Sequence, residues 1–166
     1  MAGDGLDSRE FRNTMGTFAT GVTVVAVQFD NIVRGMTANA FLSLSLHPPM
    51  LLVCIDENSS MYPIFQVAES FSVNILASDQ RVTAQSFAQR GEKKEQMGGH
   101  PYRRGALGAP IMDGVLSWAE CRIEERHMGG DHLIVVGRVM DFAVERPDDD
   151  PLLFFKGQYR AIGSEI

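Results

Sequence analysis

Gly35-Met36-Thr37-Ala38-Asn39-Ala40-Phe41-Leu42-Ser43-Leu44-Ser45-Leu46-His47-Pro48-Pro49 alternates small polar residues with apolar ones, where a core strand usually carries Val, Ile or Leu. Thr37, Asn39, Ser43 and Ser45 are costly inside a core unless something satisfies their hydrogen bonds. Two partners fit. A bound, flat, polar ring system would supply donors and acceptors, and so would neighbouring backbone at a bulge near a sheet edge. Pro48-Pro49 forbids helix or central-strand pairing at its end.

Outward from this stretch the chain reads as strands with inserted helices. Upstream, Val22 to Val27 is a β-branched strand, Asp30-Asn31 a turn, and Ile32 to Phe41 the hairpin partner. Ser8 is placed to cap a helix that ends near Gly21 and plugs or flanks a sheet with Phe11, Met15 and Phe18 on one stripe. Downstream, Met50 to Ile55 and Phe71 to Leu76 read as buried strands. Ser59 or Ser60 caps a short helix whose Met61, Ile64, Phe65 and Ala68 share a face, and Ser78 opens another that turns Val82 and Phe87 inward. Glu92 to Pro110, rich in Gly and charge, reads as a long surface loop. Val115 to Arg126 and Leu133 to Phe142 form an antiparallel pair around Met128-Gly129-Gly130-Asp131, and Pro151 to Phe155 is a final strand.

This pattern predicts a mainly β chain with peripheral α-helices, an antiparallel barrel rather than a parallel βαβ sheet. One domain over residues 8–162 is expected, after a flexible segment 1–7. No G-x-G-x-x-G follows a strand, which argues against a Rossmann site. With 15 Lys+Arg against 21 Asp+Glu, the formal charge of -6 offers no general attraction to nucleic acid or an anionic membrane. Cys54 and Cys121 lie in separate apolar runs and read as reduced, buried residues, and the start lacks signal-peptide character, so cytoplasmic residence is expected. No ligand-spaced partner accompanies His47 or His100, so no metal is expected. Trp118 reads as core or dimer interface, and Asp148 to Asp150 as a solvated turn.

Several ordered blocks carry a family resemblance. Phe11 to Val25 followed by Gly35 to Phe41, then Gly130-Asp131-His132 with Gly137-Arg138-Val139, and finally Pro151 to Tyr159, closely resemble the short-chain NAD(P)H:flavin oxidoreductases, near the reductase components of phenol and 4-hydroxyphenylacetate monooxygenase systems. The resemblance implies a flavin-binding split β-barrel, usually a homodimer. It also implies oxidation of NADH or NADPH and delivery of reduced FMN or FAD to a separate flavin-dependent monooxygenase.

Position by position, the resemblance implies that Met36, Thr37, Ala38 and Asn39 run along the isoalloxazine and that Ser45 and Leu46 line the ribityl side. Cys54 and Asp56 would face the ring, and Ser59 and Ser60 would meet the phosphate. Phe87, Ala88 and Arg90 would close over the phosphate or the FAD tail, while His132, Phe155 and Tyr159 match positions associated with the nicotinamide nucleotide. Hydride passes directly between the two cofactors, so the protein must stack them, and no residue is expected to act as acid or base. The chain accordingly has no H-E-x-x-H and no G-x-S-x-G. Two other readings stand beside this one: reduction of another acceptor, such as a corrinoid or ferric complex, and flavin binding without turnover.

Overall fold

The computed structural model describes residues 5–30, 32–89, 97 and 99–163. The elements in chain order are α1 (Ser8–Met15), β1 (Thr20–Gly21), β2 (Thr23–Phe29), β3 (Ile32–Ala38), β4 (Phe41–Leu46), β5 (Pro49–Asp56), α2 (Tyr62–Phe65) and β6 (Ser70–Ile75). They continue with α3 (Arg81–Phe87), β7 (Tyr102–Arg104), β8 (Pro110–Met112), β9 (Ser117–Gly129), β10 (His132–Val144), β11 (Leu153–Phe155) and β12 (Gln158–Arg160).

The main sheet runs β3-β2-β6-β9-β10-β5-β4. Its two edges, β3 and β4, are neighbours in sequence joined only by Asn39 and Ala40, so the sheet must curl until its edges approach. No ladder forms between them, and the expected barrel is an open sheet with a seam at Asn39. Each edge strand therefore keeps alternate backbone N–H and C=O groups facing outward.

At β2 both faces of this sheet are buried, which explains the unbroken apolar run of that strand. Val25 and Val27 join an inner cluster with Val53, Phe71 and Val135. Val24 and Ala26 join an outer cluster with Leu76, Phe87 and Trp118. A strand covered on both sides has no polar face to show, so its sequence does not alternate. Trp118 lies in this core, with the Arg103 guanidinium 5.1 Å from its ring centroid.

The bulge reading of the opening stretch has a direct counterpart. The β4–β5 register shifts between Ser43 and Ser45, on an edge strand where Ser43 is exposed. Gly35 serves close packing: a Cβ there would stand 3.2 Å from Phe87 Cε1 and 3.3 Å from Met97 Sδ.

Several local expectations change. Asp7, not Ser8, caps α1, accepting from the amides of Arg9 at 2.7 Å and Glu10 at 3.0 Å, and the helix stops at Met15 rather than near Gly21. Its stripe does not flank a sheet: Phe11, Met15 and Phe18 are exposed. Helical periodicity declares an apolar face but not what covers it. α3 begins at Arg81, three residues after Ser78, and it buries Ala84 and Phe87 while Val82 points to solvent. Within the loop expected over 92–110, Tyr102–Arg104 pairs with Pro110–Met112. The final strand gains a partner, β12, across a turn at Lys156-Gly157.

Buried polar residues on β6 and β9 hold that short β7–β8 pair in place. Glu120, fully buried, accepts from the amides of Leu107 and Ala109 at 3.0 Å each. Asn74 accepts from the Met112 amide at 2.8 Å, and the Ser72 hydroxyl donates to the Pro110 carbonyl. Backbone partners satisfy Asn74, Ser72 and one oxygen of Glu120, while Glu120 Oε2 is buried without a hydrogen-bond partner among the described residues.

Candidate functional site at the sheet seam

The opening stretch passes through the seam with its side chains alternating. Met36 and Ala38 turn to the inner cluster, and Thr37 turns to the outer face beneath α3. The Thr37 hydroxyl donates to the Ala84 carbonyl at 2.6 Å, which leaves its oxygen as an acceptor only. Asn39 is exposed, and its Nδ2 reaches Thr20 Oγ1 at 3.4 Å. Side chains on opposite faces cannot all contact one flat ring, so Met36 and Ala38 can meet a ligand at this edge only through their outward backbone groups.

Thr37 and Asn39 line a cavity of about 180 Å³ together with Val22, Ala88, Phe154 and Tyr159. The Phe154 and Tyr159 rings meet edge to face at 5.5 Å. Burial pushes the Tyr159 phenol above its ordinary range, partly opposed by the positive charge of Arg81, so it stays protonated and can donate at neutral pH. Cys54 adjoins the seam, its amide donating to Ala40 at 3.1 Å. Burial raises its thiol, which keeps it uncharged.

A second group gathers at the far end of β5. Asp56 accepts from the Asn58 amide at 2.8 Å, shaping the turn that leads to α2. Ser59 Oγ accepts from the Met61 amide at 3.2 Å and lies 4.0 Å from Met36 Sδ. Ser60 Oγ is buried with no hydrogen-bond partner among the described residues. His132 stands opposite Asp56 in the β5–β10 register, and its Nδ1 is 2.7 Å from Asp131 Oδ1. A carboxylate only accepts, so Nδ1–H donates and Nε2 is left for a ligand.

The structure separates some residues that the resemblance puts together. Ser45 pairs with Met50 and Leu46 with Pro49, whereas Ser59 and Ser60 follow Asp56. From Met50 to Asp56 the strand advances about 20 Å, so the two pairs flank opposite ends of β5. His132 groups with Asp56, while Tyr159 packs on the outer cluster. Phe87 is a core residue whose ring lies 4.9 Å from that of His100. Phe155 is half-buried, with Lys156 Nζ 5.2 Å from its ring centroid. Arg90 lies outside the described residues. Phe154, which borders the cavity, was not anticipated; its place in the block Pro151 to Tyr159 was the available signal.

Among the described residues no helix is long and apolar enough to cross a membrane. Compared with known proteins, residues 15–163 match the model of the flavin reductase like domain. The reductase subunit HsaB of a flavin-dependent monooxygenase from Rhodococcus jostii is 36% identical over 98% of this chain and 82% of its own length. The FMN reductase (NADH) SmoA of Agrobacterium fabrum is 38% identical over 93% of this chain and 86% of its own. The NADH:FAD oxidoreductase SgcE6 of Streptomyces globisporus, solved in complex with NAD and FAD fragments, superposes with a TM-score of 0.89 at 34% identity, covering 98% of this chain and 97% of that one.

Proposed function

The chain belongs to the flavin reductase like family, and we propose on that footing that it takes hydride from NADH or NADPH, reduces FMN or FAD, and releases the reduced flavin to a separate flavin-dependent monooxygenase. The observation that carries this reading is the cavity at the seam, where Thr37, Asn39 and Ala88 from the flavin-associated blocks share walls with Tyr159 from the nicotinamide-associated one. When bound, the flavin supplies the hydride acceptor, and the protein supplies alignment.

The residues present fit such a ligand. The outward backbone groups of Met36 to Asn39 suit the polar edge of a ring system lying along β3. Thr37 Oγ1 offers an acceptor to a ring N–H, and the neutral Cys54 adds a small apolar neighbour. Ser60 Oγ, buried and unpartnered, and Ser59 beside Met36 suit a phosphate at the start of α2. His132 Nε2, near that turn, is available to the nicotinamide nucleotide. Ser45 and Leu46, on the edge strand β4, are read as lining the flavin's ribityl side.

For the finer architecture, we read the open sheet as one half of a split barrel in a homodimer. β4 is a sheet edge with exposed Leu42, Leu44 and Leu46, and such an edge invites a protein partner. A second copy of the chain fits that description, and light scattering during gel filtration should give twice the monomer mass. The reading also keeps the protein in the cytoplasm, where reduced nicotinamide is available.

The test is turnover. The purified protein should consume NADH or NADPH only when FMN or FAD is added or carried through purification, followed by loss of the reduced-nicotinamide absorbance. A protein that acquires flavin absorbance yet never consumes either nicotinamide would overturn the enzymatic reading.

A further inference from the structure

α3 is seven residues long, and among the described residues no side chain caps its N-terminus. A helix that short does not hold its shape alone, so its position depends on what grips its last turn. Two consecutive carbonyls there each accept from a hydroxyl. The Ala84 carbonyl takes the Thr37 hydroxyl at 2.6 Å and the Ala88 amide at 3.1 Å. The Thr83 carbonyl takes the Ser86 hydroxyl at 2.8 Å.

The second of these bonds fixes the role of His100. A serine hydroxyl has one proton, and that of Ser86 is spent on Thr83, so toward any other group its oxygen can only accept. His100 Nε2, 3.0 Å away, therefore carries a hydrogen and donates it. The pair is a strut and not a nucleophile with its base, because a base would have to receive the serine's proton.

The His100 ring also lies 4.9 Å from that of Phe87, tilted by 41°. Phe87 in turn sits against β3 where Gly35 leaves room: a Cβ at Gly35 would stand 3.2 Å from Phe87 Cε1. His100 thus backs the ring that seats α3 on β3, two residues before Thr37. Its own footing is firm. The carbonyl of the next residue, Pro101, accepts from the Asp113 amide at 3.1 Å, and the adjoining Met112 amide donates to the buried Asn74 at 2.8 Å. Contacts therefore run without a break from β6 through β8 and His100 to α3, and α3 ends at Ala88, a wall of the seam cavity.

We propose that His100 is a positioning residue for the ligand at the seam: through Ser86 and Phe87 it holds α3 against β3, so that Ala88 and Thr37 keep the spacing the ligand needs. His100 is not among the described residues that line the cavity, so its effect passes through α3. In a cavity of about 180 Å³ a small displacement of one wall costs contact with everything inside. The proposal rests on the hydride-transfer reading for the identity of the ligand, a flavin, but not for the contacts that hold the wall.

The test measures the FMN dissociation constant in His100→Leu, His100→Gln and Ser86→Ala, with melting temperature and steady-state kinetics alongside. Leucine keeps bulk against Phe87 without a donor, whereas glutamine returns an N–H close to where Nε2 stands. His100→Leu and Ser86→Ala should each weaken FMN binding by about threefold to tenfold, the range that one hydrogen bond of modest net strength supplies. The KM for flavin should rise in proportion while kcat at saturating flavin stays within about twofold. His100→Gln should recover most of the affinity. The double variant His100→Leu with Ser86→Ala should bind FMN no more weakly than the weaker single variant, since both changes remove the same bond.

A lowered melting temperature with FMN affinity unchanged is what a merely structural role would give, and it would overturn the proposal. Losses that multiply in the double variant, or a His100→Gln protein no better than His100→Leu, would do the same. Wild type that binds FMN yet consumes neither NADH nor NADPH would sink the hydride-transfer reading, and weakened FMN binding in the variants would still support His100. Unchanged FMN affinity in variants of an active enzyme would have the reverse meaning.

Discussion

Thr37 Oγ1 and the Ala84 carbonyl, 2.6 Å apart, tie the edge strand β3 to α3 across 47 residues of sequence. One bond thereby sets two walls of the seam cavity, because Ala88 follows α3 and Thr37 borders the same space. Replacing Thr37 by Val keeps the shape and removes the donor. The Ala84 carbonyl then loses its side-chain partner, at a cost of about 1–2 kcal/mol. Thermal melting should fall by several degrees, and flavin affinity should fall too, since the ring edge loses an acceptor. Unchanged flavin affinity in a folded Thr37→Val protein would remove Thr37 from the site.

His132 should act on the nicotinamide side only. Its Nδ1 is taken by Asp131 at 2.7 Å, so only Nε2 can serve a ligand. His132→Ala is expected to raise the KM for NADH by about tenfold, the loss of one polar contact of moderate strength, while the flavin dissociation constant stays near its original value. Titrating flavin by fluorescence quenching separates the two; loss of flavin binding would mean that His132 belongs to the flavin pocket.

Gly105 has no room to change. A Cβ there would overlap the Glu120 carboxylate, which already holds the amides of Leu107 and Ala109. Gly105→Ala must displace either the β7–β8 segment or the buried Glu120 side chain, and a loss of about 3 kcal/mol is expected. For a chain of this size that corresponds to a fall in Tm of roughly 6–12 °C. A melting temperature within a degree or two of wild type would show that the clamp is not rigid.

The Arg146 guanidinium bonds to Asp79 at 3.0 Å and holds its carboxyl below the usual carboxylate value, although Asp79 is largely exposed. The lowered value belongs to the folded state, so the pair stabilises the protein above the unfolded carboxylate pKa, near 4. That contribution is lost as pH falls through the folded value. Asp79→Asn should therefore lower stability slightly at neutral pH and flatten its decline in acid. Solvent screening keeps the effect small. Denaturant titrations at several pH values between about 2.5 and 7 would check it, and identical acid profiles for the two proteins would refute the assignment.

Much of this was legible in the residues. The β-branched run of β2, the Gly-Gly-Asp turn joining β9 to β10, and the short helix after Ser60 each follow from local periodicity or turn chemistry, which depend on neighbours in sequence. The bulge at Ser43 to Ser45 was also legible, because small polar residues on an apolar strand demand an irregularity or a ligand. α1 misled because an amphipathic stripe is the same whether sheet, ligand or second protomer covers it. β12 was missed because three residues are too few to show a period.

What the sequence by itself determined is the family, the order of the elements, and which residue types stand ready to hold a flavin and a nicotinamide. Only the tertiary structure decided how they assemble. It brought Thr37 to Ala84 and Tyr159, set His132 beside Asp56, and put Ser45 at the other end of β5 from Ser59 and Ser60. The physical reason is register. Each residue of slip along a strand moves a side chain about 3.3 Å and reverses its face, and register is fixed by pairing between segments far apart in the chain.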